Sequence, residues 1–297
     1  MHDIIGNKKI FLGFSALLMI AAVALIGAYG LRQGIDFLGG TSWQMKLAGN
    51  PAPETVVAFM EKTAGAKGII AVAEPTTESV IVRLPETSET LHAEYLKALE
   101  KEYGTVEELG FETIGPAVGG ELRSKAAWAF LGVLLAISLY IAFAFREVSR
   151  PVSSWKYGAI TLLTLFHDAL IPLGLVAWLG KAYGAELDTN VVVALLVVMG
   201  FSVHDTIVVF DRIRENLRHG KPGADFSRLV NASINQTMVR SVNTSLTLVL
   251  TLVALLVMGS ANLFWFVLVM LVGVVAGTYS SIFVASPLIA LWNPEKA

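Results

Sequence analysis

Six stretches of the chain are apolar over about 20 residues, which is the length that an α-helix needs to cross a bilayer. They lie at 10–31, 126–145, 157–179, 189–210, 241–259 and 263–292. The last stretch exceeds one simple crossing, so we expect it to tilt or to break near Ser286-Pro287. We expect the first to remain as an anchor, because it is longer than the core of a signal peptide, about 7–15 residues, and no A-x-A site follows it. The pattern predicts an α-helical polytopic membrane protein with six transmembrane helices.

Residues 32–125, between the first two spans, contain short stretches with strand-like and helix-like spacing of apolar residues, which predict a small α+β domain. Alternating or β-branched residues predict strands at 41–48, 68–74, 79–85 and 105–115, with a hairpin turn at Pro75. Helical spacing predicts amphipathic helices at 53–65, stopped by Gly65, and at 88–104. The order β-α-β-β-α-β is that of a ferredoxin-like domain. We therefore divide the chain into an N-terminus with the first span (1–31), this domain (32–125), and the remaining spans with a short tail (126–297).

The composition supports a membrane protein, since only 15% of the residues are charged, whereas soluble domains have about 25%. There is no cysteine, which excludes disulfides and thiolate metal sites. The net charge of -2 gives no overall attraction to nucleic acid. No residue pattern indicates an enzyme, a bound metal or an organic cofactor.

Basic residues are concentrated before the first span and in the loops at 146–156 and 211–240, whereas residues 32–125 hold 14 Asp/Glu against 9 Lys/Arg. By the positive-inside rule, both termini and these two loops are predicted to be cytoplasmic, where their basic residues can touch lipid head groups, and the domain is predicted to face outward. The residues that carry this prediction are Lys8, Lys9, Arg146, Arg150, Lys156, Arg212, Arg214, Arg218, Lys221, Arg228 and Arg240.

The fourth span carries His204-Asp205, followed by Thr206, which is predicted to be a supporting polar residue. Asp205 lies six residues before Asp211, roughly 9 Å inside the charged end of the span. Burial favours the neutral acid and a nearby arginine favours the carboxylate, so a carboxyl that alternates between the two can carry a proton. Arg240, at the head of the fifth span, is the predicted partner. The alternative is a permanent Asp205–Arg240 pair that serves packing alone.

Other spans carry polar residues with two open interpretations. His167-Asp168 in the third span is either a second relay station or a structural link, with Thr161 and Thr164 near it. Polar residues also follow Arg240 along the fifth span, and their hydroxyls can bond their own backbone. Gly273 and Gly277 in the last span suit close helix packing. The polar residues of the fifth span are Asn243, Thr244, Thr247 and Thr251.

Two connecting segments have simpler interpretations. Gly39-Gly40 predicts a tight turn into the first strand, because glycine permits backbone angles that other residues resist. The segment 211–226, which contains Asp211, Arg212 and Arg214, is predicted to be a solvated cytoplasmic loop.

Five stretches, taken together and in order, resemble the SecF proteins of the SecD/SecF family, within the resistance-nodulation-division (RND) superfamily. They are GIDFLGGT, GPAVGGELRSKA, LFHDALI, GFSVHDTIVVFDRIREN and RSVNTSLT. The resemblance implies an RND-like fold and a bacterial inner-membrane complex with SecD, the SecYEG translocon and YajC. It also implies use of the proton motive force to complete the export of unfolded preproteins.

The resemblance assigns roles residue by residue. The span-four carboxylate falls on Asp205, the span-five arginine on Arg240, and the glycine-rich turn on Asp36, Gly39, Gly40 and Thr41. His204 departs from the family, which commonly has asparagine there; it either joins the relay or replaces the amide's hydrogen bonds. The transported ion is expected to be H⁺, and Na⁺ stays open.

Three other functions compete with this one. A small-molecule exporter subunit of the same superfamily would need a larger outward domain. An intramembrane aspartyl protease would use Asp168 and Asp205, but GFSVHD differs from the Gly-x-Gly-Asp pattern of that class. A structural scaffold of the translocon would tolerate neutral substitutions at Asp205.

Overall fold

The computed structural model describes residues 2–64, 68–74, 77–146, 152–219, 225–259 and 263–292. Within these ranges, six helical segments are long and apolar enough to cross a membrane. The prediction of a six-span helical protein is confirmed. The helices of the bundle are α1 (Lys8–Tyr29), α5 (Pro116–Ala144), α6 (Ser154–Tyr183), α7 (Thr189–His219), α8 (Phe226–Met258), α9 (Phe264–Ser280) and α10 (Ser286–Trp292).

The small domain lies between α1 and α5. Its elements are α2 (Ile35–Leu38), β1 (Gly40–Leu47), α3 (Pro53–Ala64), β2 (Ile70–Glu74), β3 (Ser79–Leu84), α4 (Glu89–Tyr103) and β4 (Val106–Ile114). The described strands form one antiparallel sheet in the order β2-β3-β1-β4. With helices α3 and α4 crossing between strands, this is the predicted β-α-β-β-α-β pattern. The short α2 precedes it.

Alternation along β1 and β3 builds the core of the sheet domain. Trp43 and Met45 on β1 and Val80 and Val82 on β3 are buried, with Leu99 of α4 packed among them. Successive strand residues point to opposite faces, so one face takes these apolar side chains. The other face is left to residues such as Arg83, which contacts the helical bundle.

The spans divide into inner and peripheral helices. Within their apolar windows, α6, α7 and the last span are 61%, 50% and 56% buried, whereas α1, α5 and α8 are only 11%, 17% and 17% buried. The peripheral helices therefore present most of their apolar residues outward, as lipid or partner contact requires.

The last span is irregular, as its length predicted. A π-helical turn, Ser281–Ala285, separates α9 from α10. It lies just ahead of Pro287, whose ring cannot continue the regular hydrogen-bond ladder. Ser286 donates to the carbonyl of Ser281 at 3.0 Å across this turn. Gly273 and Gly277 of α9 lie against Val198 and Ser202 of α7, which is the close packing expected of them.

The region predicted as a loop at 211–240 is largely helical, which corrects the prediction. Helix α7 continues to His219, and α8 begins at Phe226. The polar residues alternate with apolar ones that the prediction ignored: Ile213 of α7 packs in the same buried cluster as Val230 and Ile234 of α8. This paired apolar seam stabilises both helices beyond the apolar spans.

Some predicted features fall on residues that are not described. The stop residue Gly65, the hairpin residue Pro75, and the basic residues Arg150 and Lys221 lie outside the described ranges.

Candidate functional site

Asp205 is buried in the bundle and accepts a hydrogen bond from a hydroxyl group of another helix. It lies inside α7, and its side chain is 2% exposed. Ser245 of α8 donates to Asp205 Oδ2 at 3.1 Å. Behind it, the Thr278 hydroxyl of α9 lies 2.6 Å from Ser245 Oγ. The carboxyl is thus joined to α8 and α9 through a short chain of hydroxyls.

The neighbouring His204 is placed differently. Its side chain is 60% exposed, and Nδ1 lies 3.8 Å from Asp205 Oδ1. This separation is too long for a hydrogen bond but allows a charge interaction. The imidazole therefore lies on the outer surface of α7, between the buried carboxyl and the surroundings of this chain.

Arg240 forms no ion pair with Asp205 or with any other described residue, and its side chain is exposed. The polar residues after it, Asn243, Thr244 and Thr247, are also exposed along α8. Thr244 and Thr247 donate to backbone carbonyls one turn back, at 2.9 and 2.7 Å, as expected of threonines in spans. The predicted stripe therefore exists, but it faces outward from this chain.

A second buried carboxyl, Asp168 on α6, lies at the centre of a larger hydrogen-bond network. His167 Nδ1 lies 2.8 Å from Asp168 Oδ1. Ser280 of α9 donates to Oδ2 at 2.8 Å, and Ser202 of α7 donates to the same oxygen. On the far side, His167 Nε2 lies 3.0 Å from the Ser15 hydroxyl of α1. The network joins four helices and is closed to solvent.

Helix α7 connects the two carboxyls. Ser202, one turn before Asp205, bonds Asp168, and Gly277 of α9 packs directly against it. A Cβ on Gly277 would lie 2.8 Å from that of Ser202, so glycine is needed for this approach. Thr206, predicted as a supporting residue, is buried and donates to the Ser202 carbonyl at 3.1 Å. A shift of α7 would change the surroundings of both acids together.

The chemistry of these neighbours suits proton binding. A hydroxyl can donate to a carboxylate or accept from a carboxylic acid, so either form of the acid finds a partner. No lysine or arginine of the described ranges lies within ion-pair distance of Asp168 or Asp205. The described residues also contain no group of three or more His, Cys, Asp or Glu side chains that could hold a metal ion.

The glycine-rich segment after α1 connects the sheet domain to the bundle. Asp36 Oδ2 accepts from the Thr189 N–H at 2.8 Å, and Thr189 is the first residue of α7. A carboxylate at a helix N-terminus satisfies an unpaired donor and stabilises the helix dipole. We call residues 30–39, between α1 and β1, the linker. The N-terminus of the helix that carries Asp205 is therefore capped by this linker, which leads into the sheet domain.

Gly39, Gly40 and Thr41 complete this connection. Gly39 and Gly40 have φ of 76° and 125°, so the predicted tight turn is present and requires glycine. A Cβ on Gly39 would lie 2.7 Å from Cα of Pro116, at the start of α5. The buried Thr41 hydroxyl contacts Thr113 Oγ1 at 2.9 Å and accepts from the Thr87 N–H at 2.9 Å.

Asp211, Arg212 and Arg214 lie on α7 beyond the apolar span. Arg212 pairs with Glu215 at 2.9 Å, and Arg214 lies 4.0 Å from Asp211. Both pairs follow the helical i,i+3 spacing and are partly exposed, so they support the helix and contribute little energy.

The sequence interpretation missed the residues that hold the two acids. Ser15 and Ser245 were not singled out, and Ser202, Thr278 and Ser280 were not assigned to the site. A signal existed for Ser202, because it precedes Asp205 by three residues and so shares its helix face. There was no such signal for Ser245 in the sequence, because the direction of its side chain depends on how α8 is rotated about its own axis.

Comparison with known proteins agrees with this architecture. The model of the family described as "Protein export membrane protein SecD/SecF, C-terminal" matches residues 94–295. The chain is 43% identical to the protein translocase subunit SecF of Thermobaculum terrenum, covering 99% of this chain and 94% of that protein.

Two crystal structures of SecDF are similar to the whole chain. The structure described as SecDF, a translocon-associated membrane protein from Thermus thermophilus, has a TM-score of 0.86 at 35% identity, covering 98% of this chain and 38% of that one. A structure of SecDF in a super-membrane-facing form has a TM-score of 0.67 at 37% identity, with the same coverage. The family match, the near full-length relative and the shared fold lead to one conclusion: the chain belongs to the SecD/SecF family of protein export membrane proteins.

Proposed function

We propose that this chain is the SecF subunit of a SecDF complex, and that it uses the proton motive force to complete the export of unfolded preproteins through the SecYEG translocon. YajC is a further proposed partner. The related SecDF chain, in which the matching region is 38% of one polypeptide, supports SecD as a partner of this membrane protein. The proposed location is the bacterial cell membrane, with both termini in the cytoplasm.

One observation carries the proposal: the helix that buries Asp205 is capped by Asp36, in the linker to the sheet domain. A proton taken up or lost at Asp205 changes the charge inside the bundle. A change in the position of α7 is passed to the linker, and from there to the domain proposed to contact the exported chain. One elementary charge that crosses 100 mV supplies about 2.3 kcal/mol, so a few protons suffice for a substantial movement.

Arg240 and the polar stripe of α8 are proposed to face SecD. A charged or polar residue exposed to hydrocarbon is costly, so such a face needs a protein or water-filled surrounding. In this proposal, Arg240 approaches Asp205 in one state of the cycle and leaves it in another. His204 is also exposed and is proposed to pass protons to Asp205, with His167-Asp168 as an inner station or a structural link.

The test is ion flux in inverted membrane vesicles that contain this chain, SecD and the translocase, with preprotein release followed in the same samples. We expect Asp205→Asn and Arg240→Met to abolish both activities while the complex stays assembled. Asp211→Asn is the matched control, since Asp211 lies on the same helix but is exposed. Replacing the proton gradient with a sodium gradient identifies the ion.

A structural scaffold is the second candidate, and the Asp168 network favours it for that part of the bundle. Its carboxyl already has partners on three helices, which suits packing as well as relay. If flux and release both persist in Asp205→Asn, the relay proposal fails and the scaffold takes its place.

A further inference from the structure

A partly buried contact between an arginine and a glutamate joins the sheet domain to the helical bundle outside the apolar spans. Arg83 of β3 contacts Glu186, in the loop between α6 and α7. The side chains are only 26% and 13% exposed. The Glu186 carboxyl contacts neither Asp205 nor Asp168, and the proposed proton relay does not use it.

Backbone contacts hold the Glu186 loop against the linker that leads into the domain. The Gly34 N–H donates to the Leu187 carbonyl at 2.9 Å, and the Leu187 N–H donates to the Arg32 carbonyl at 2.7 Å. On the other side, Gly184 approaches Val72 of β2 so closely that a Cβ would lie 3.0 Å from its side chain. The loop is therefore enclosed between the linker and the edge of the sheet.

The charges around Glu186 are mixed. Arg83 faces it from β3, Arg32 and Asp36 from the linker, and Asp188 from its own loop. The pKa of Glu186 is raised to about 7, chiefly by burial; Asp188 and Asp36 also raise it, and Arg83 and Arg32 oppose the rise. Burial also raises the pKa of Asp188. The Glu186 carboxyl thus changes charge near neutral pH, at the contact between domain and bundle.

We propose that Glu186 is a proton-binding site whose occupancy controls how firmly the sheet domain docks on the bundle. Docking buries the carboxyl, and a buried acid is more stable with its proton. A released domain would return Glu186 to water and to its ordinary pKa of 4.5. The site lies in a loop outside the apolar spans, whereas Asp205 lies inside α7.

The direction of the effect follows from linkage. The docked state binds the proton more tightly, so docking is favoured at low pH and weakens as the pH rises from about 4.5 through about 7. Over that window, the ratio of docked to released molecules falls by a factor on the order of 10². Loss of the proton leaves a buried carboxylate that Arg83 and Arg32 only partly compensate.

Docking at this loop also bears on α7. The loop leads directly into Thr189, whose N–H is capped by Asp36. Release at Glu186 would therefore loosen the outer end of the helix that carries Asp205.

The test is a distance measurement between spin labels in the full chain, assembled with a cysteine-free SecD in lipid nanodiscs. The chain has no cysteine, so Glu94→Cys on α4 and Lys181→Cys at the end of α6 supply its only thiols, both at exposed positions. We expect the short distance to predominate at pH 5 and a longer one to grow as the pH rises, with a midpoint between about 4.5 and about 7. Glu186→Gln should keep the short distance throughout.

Neighbouring charges separate titration of Glu186 from a purely structural role. Arg83→Gln should move the midpoint to higher pH, because the guanidinium lowers the pKa of Glu186; Asp188→Asn should move it to lower pH. Glu107→Gln is the matched control, since Glu107 forms an exposed pair with Lys46 in the same domain and should leave the midpoint unchanged. A pH-independent distance in the parent, or an unchanged midpoint in Glu186→Gln, overturns the proposal. Both results are independent of the proposal that Asp205 carries the transported ion, which the flux measurement tests.

Discussion

Hydroxyl groups and a neighbouring histidine, and not lysine or arginine, lie beside each of the two buried carboxyls in the described part of the bundle. Ser245 bonds Asp205, and Ser202 and Ser280 bond Asp168. A fixed arginine would hold a carboxylate in its charged form, whereas a hydroxyl stabilises both forms. The residues nearest the acids thus leave them able to change protonation without a large rearrangement.

Ser245→Ala should impair ion flux and preprotein release. A hydrogen bond contributes about 1.5–3 kcal/mol when it is made to a charged group and about 0.5–1.5 kcal/mol when both groups are neutral. Its loss therefore shifts the balance between the two forms of Asp205 by about 1 kcal/mol, or roughly fivefold, towards the neutral acid. The measurement is flux and release in vesicles, as for Asp205→Asn.

Ser241→Ala is the control for this prediction. Ser241 lies one turn earlier on α8 and is also buried, but its hydroxyl has no hydrogen-bond partner among the described residues. Equal effects of the two substitutions would show that helix packing, and not the bond to Asp205, matters at these positions.

Closely packed glycines join the entry and the exit of the sheet domain. A Cβ on Gly119 of α5 would lie 2.8 Å from the Gly39 backbone nitrogen and 3.2 Å from the Phe37 carbonyl carbon. The chain leaving α1 and the chain entering α5 therefore touch through their backbones. Such a contact is rigid, because no flexible side chain lies between the two segments.

Gly119→Ala should destabilise this junction by about 1–3 kcal/mol, because the new methyl group overlaps backbone that cannot move aside cheaply. The measurement is the thermal unfolding midpoint of the purified complex. Gly120→Ala is the matched control, since nothing lies within 4 Å of a Cβ there. It should be neutral or stabilising, as alanine favours a helix over glycine by up to about 1 kcal/mol. A loss of stability at both positions would contradict the packing argument.

Across the whole molecule, the N-terminal segment ties α1 to α8. Asn231 Oδ1 accepts from the N–H groups of Ile4 and Ile5, at 2.9 and 3.2 Å, and Asn235 Oδ1 accepts from that of His2 at 2.8 Å. Both asparagines also donate to the His2 carbonyl. Ile4 and Ile5 are buried beside α8. A movement of α8 is therefore passed to α1 at this end, while α1 leads to the sheet domain at the other.

The double variant Asn231→Ala/Asn235→Ala should free this segment. It removes every hydrogen bond that the two side chains make with residues 2–5, each worth about 1 kcal/mol. Hydrogen exchange at the Ile4 and Ile5 amides should rise by at least tenfold. Asn243→Ala, at an exposed position on the same helix, should leave exchange unchanged. Persistent protection in the double variant would show that burial of the two isoleucines suffices.

Local patterns along the chain determined the spans and the sheet domain. Apolar length specified six crossings, and alternation specified strands whose inward residues, such as Trp43 and Val82, form the domain core. These features depend on residues that are close together in the sequence, so the local spacing of apolar and polar residues is enough to predict them. The same patterns drew attention to Asp205 and Asp168, because an acid inside an apolar run is visible without any fold.

Tertiary structure alone decided which groups surround those acids. Ser245 and Thr244 are adjacent in sequence, yet one bonds Asp205 and the other lies exposed, because consecutive helix residues are about 100° apart and the rotation of α8 is set by its packing. Arg83 and Glu186 likewise meet only because the sheet docks on the α6–α7 loop. Contacts between distant segments depend on how whole elements pack together, and a local period contains no information about that packing.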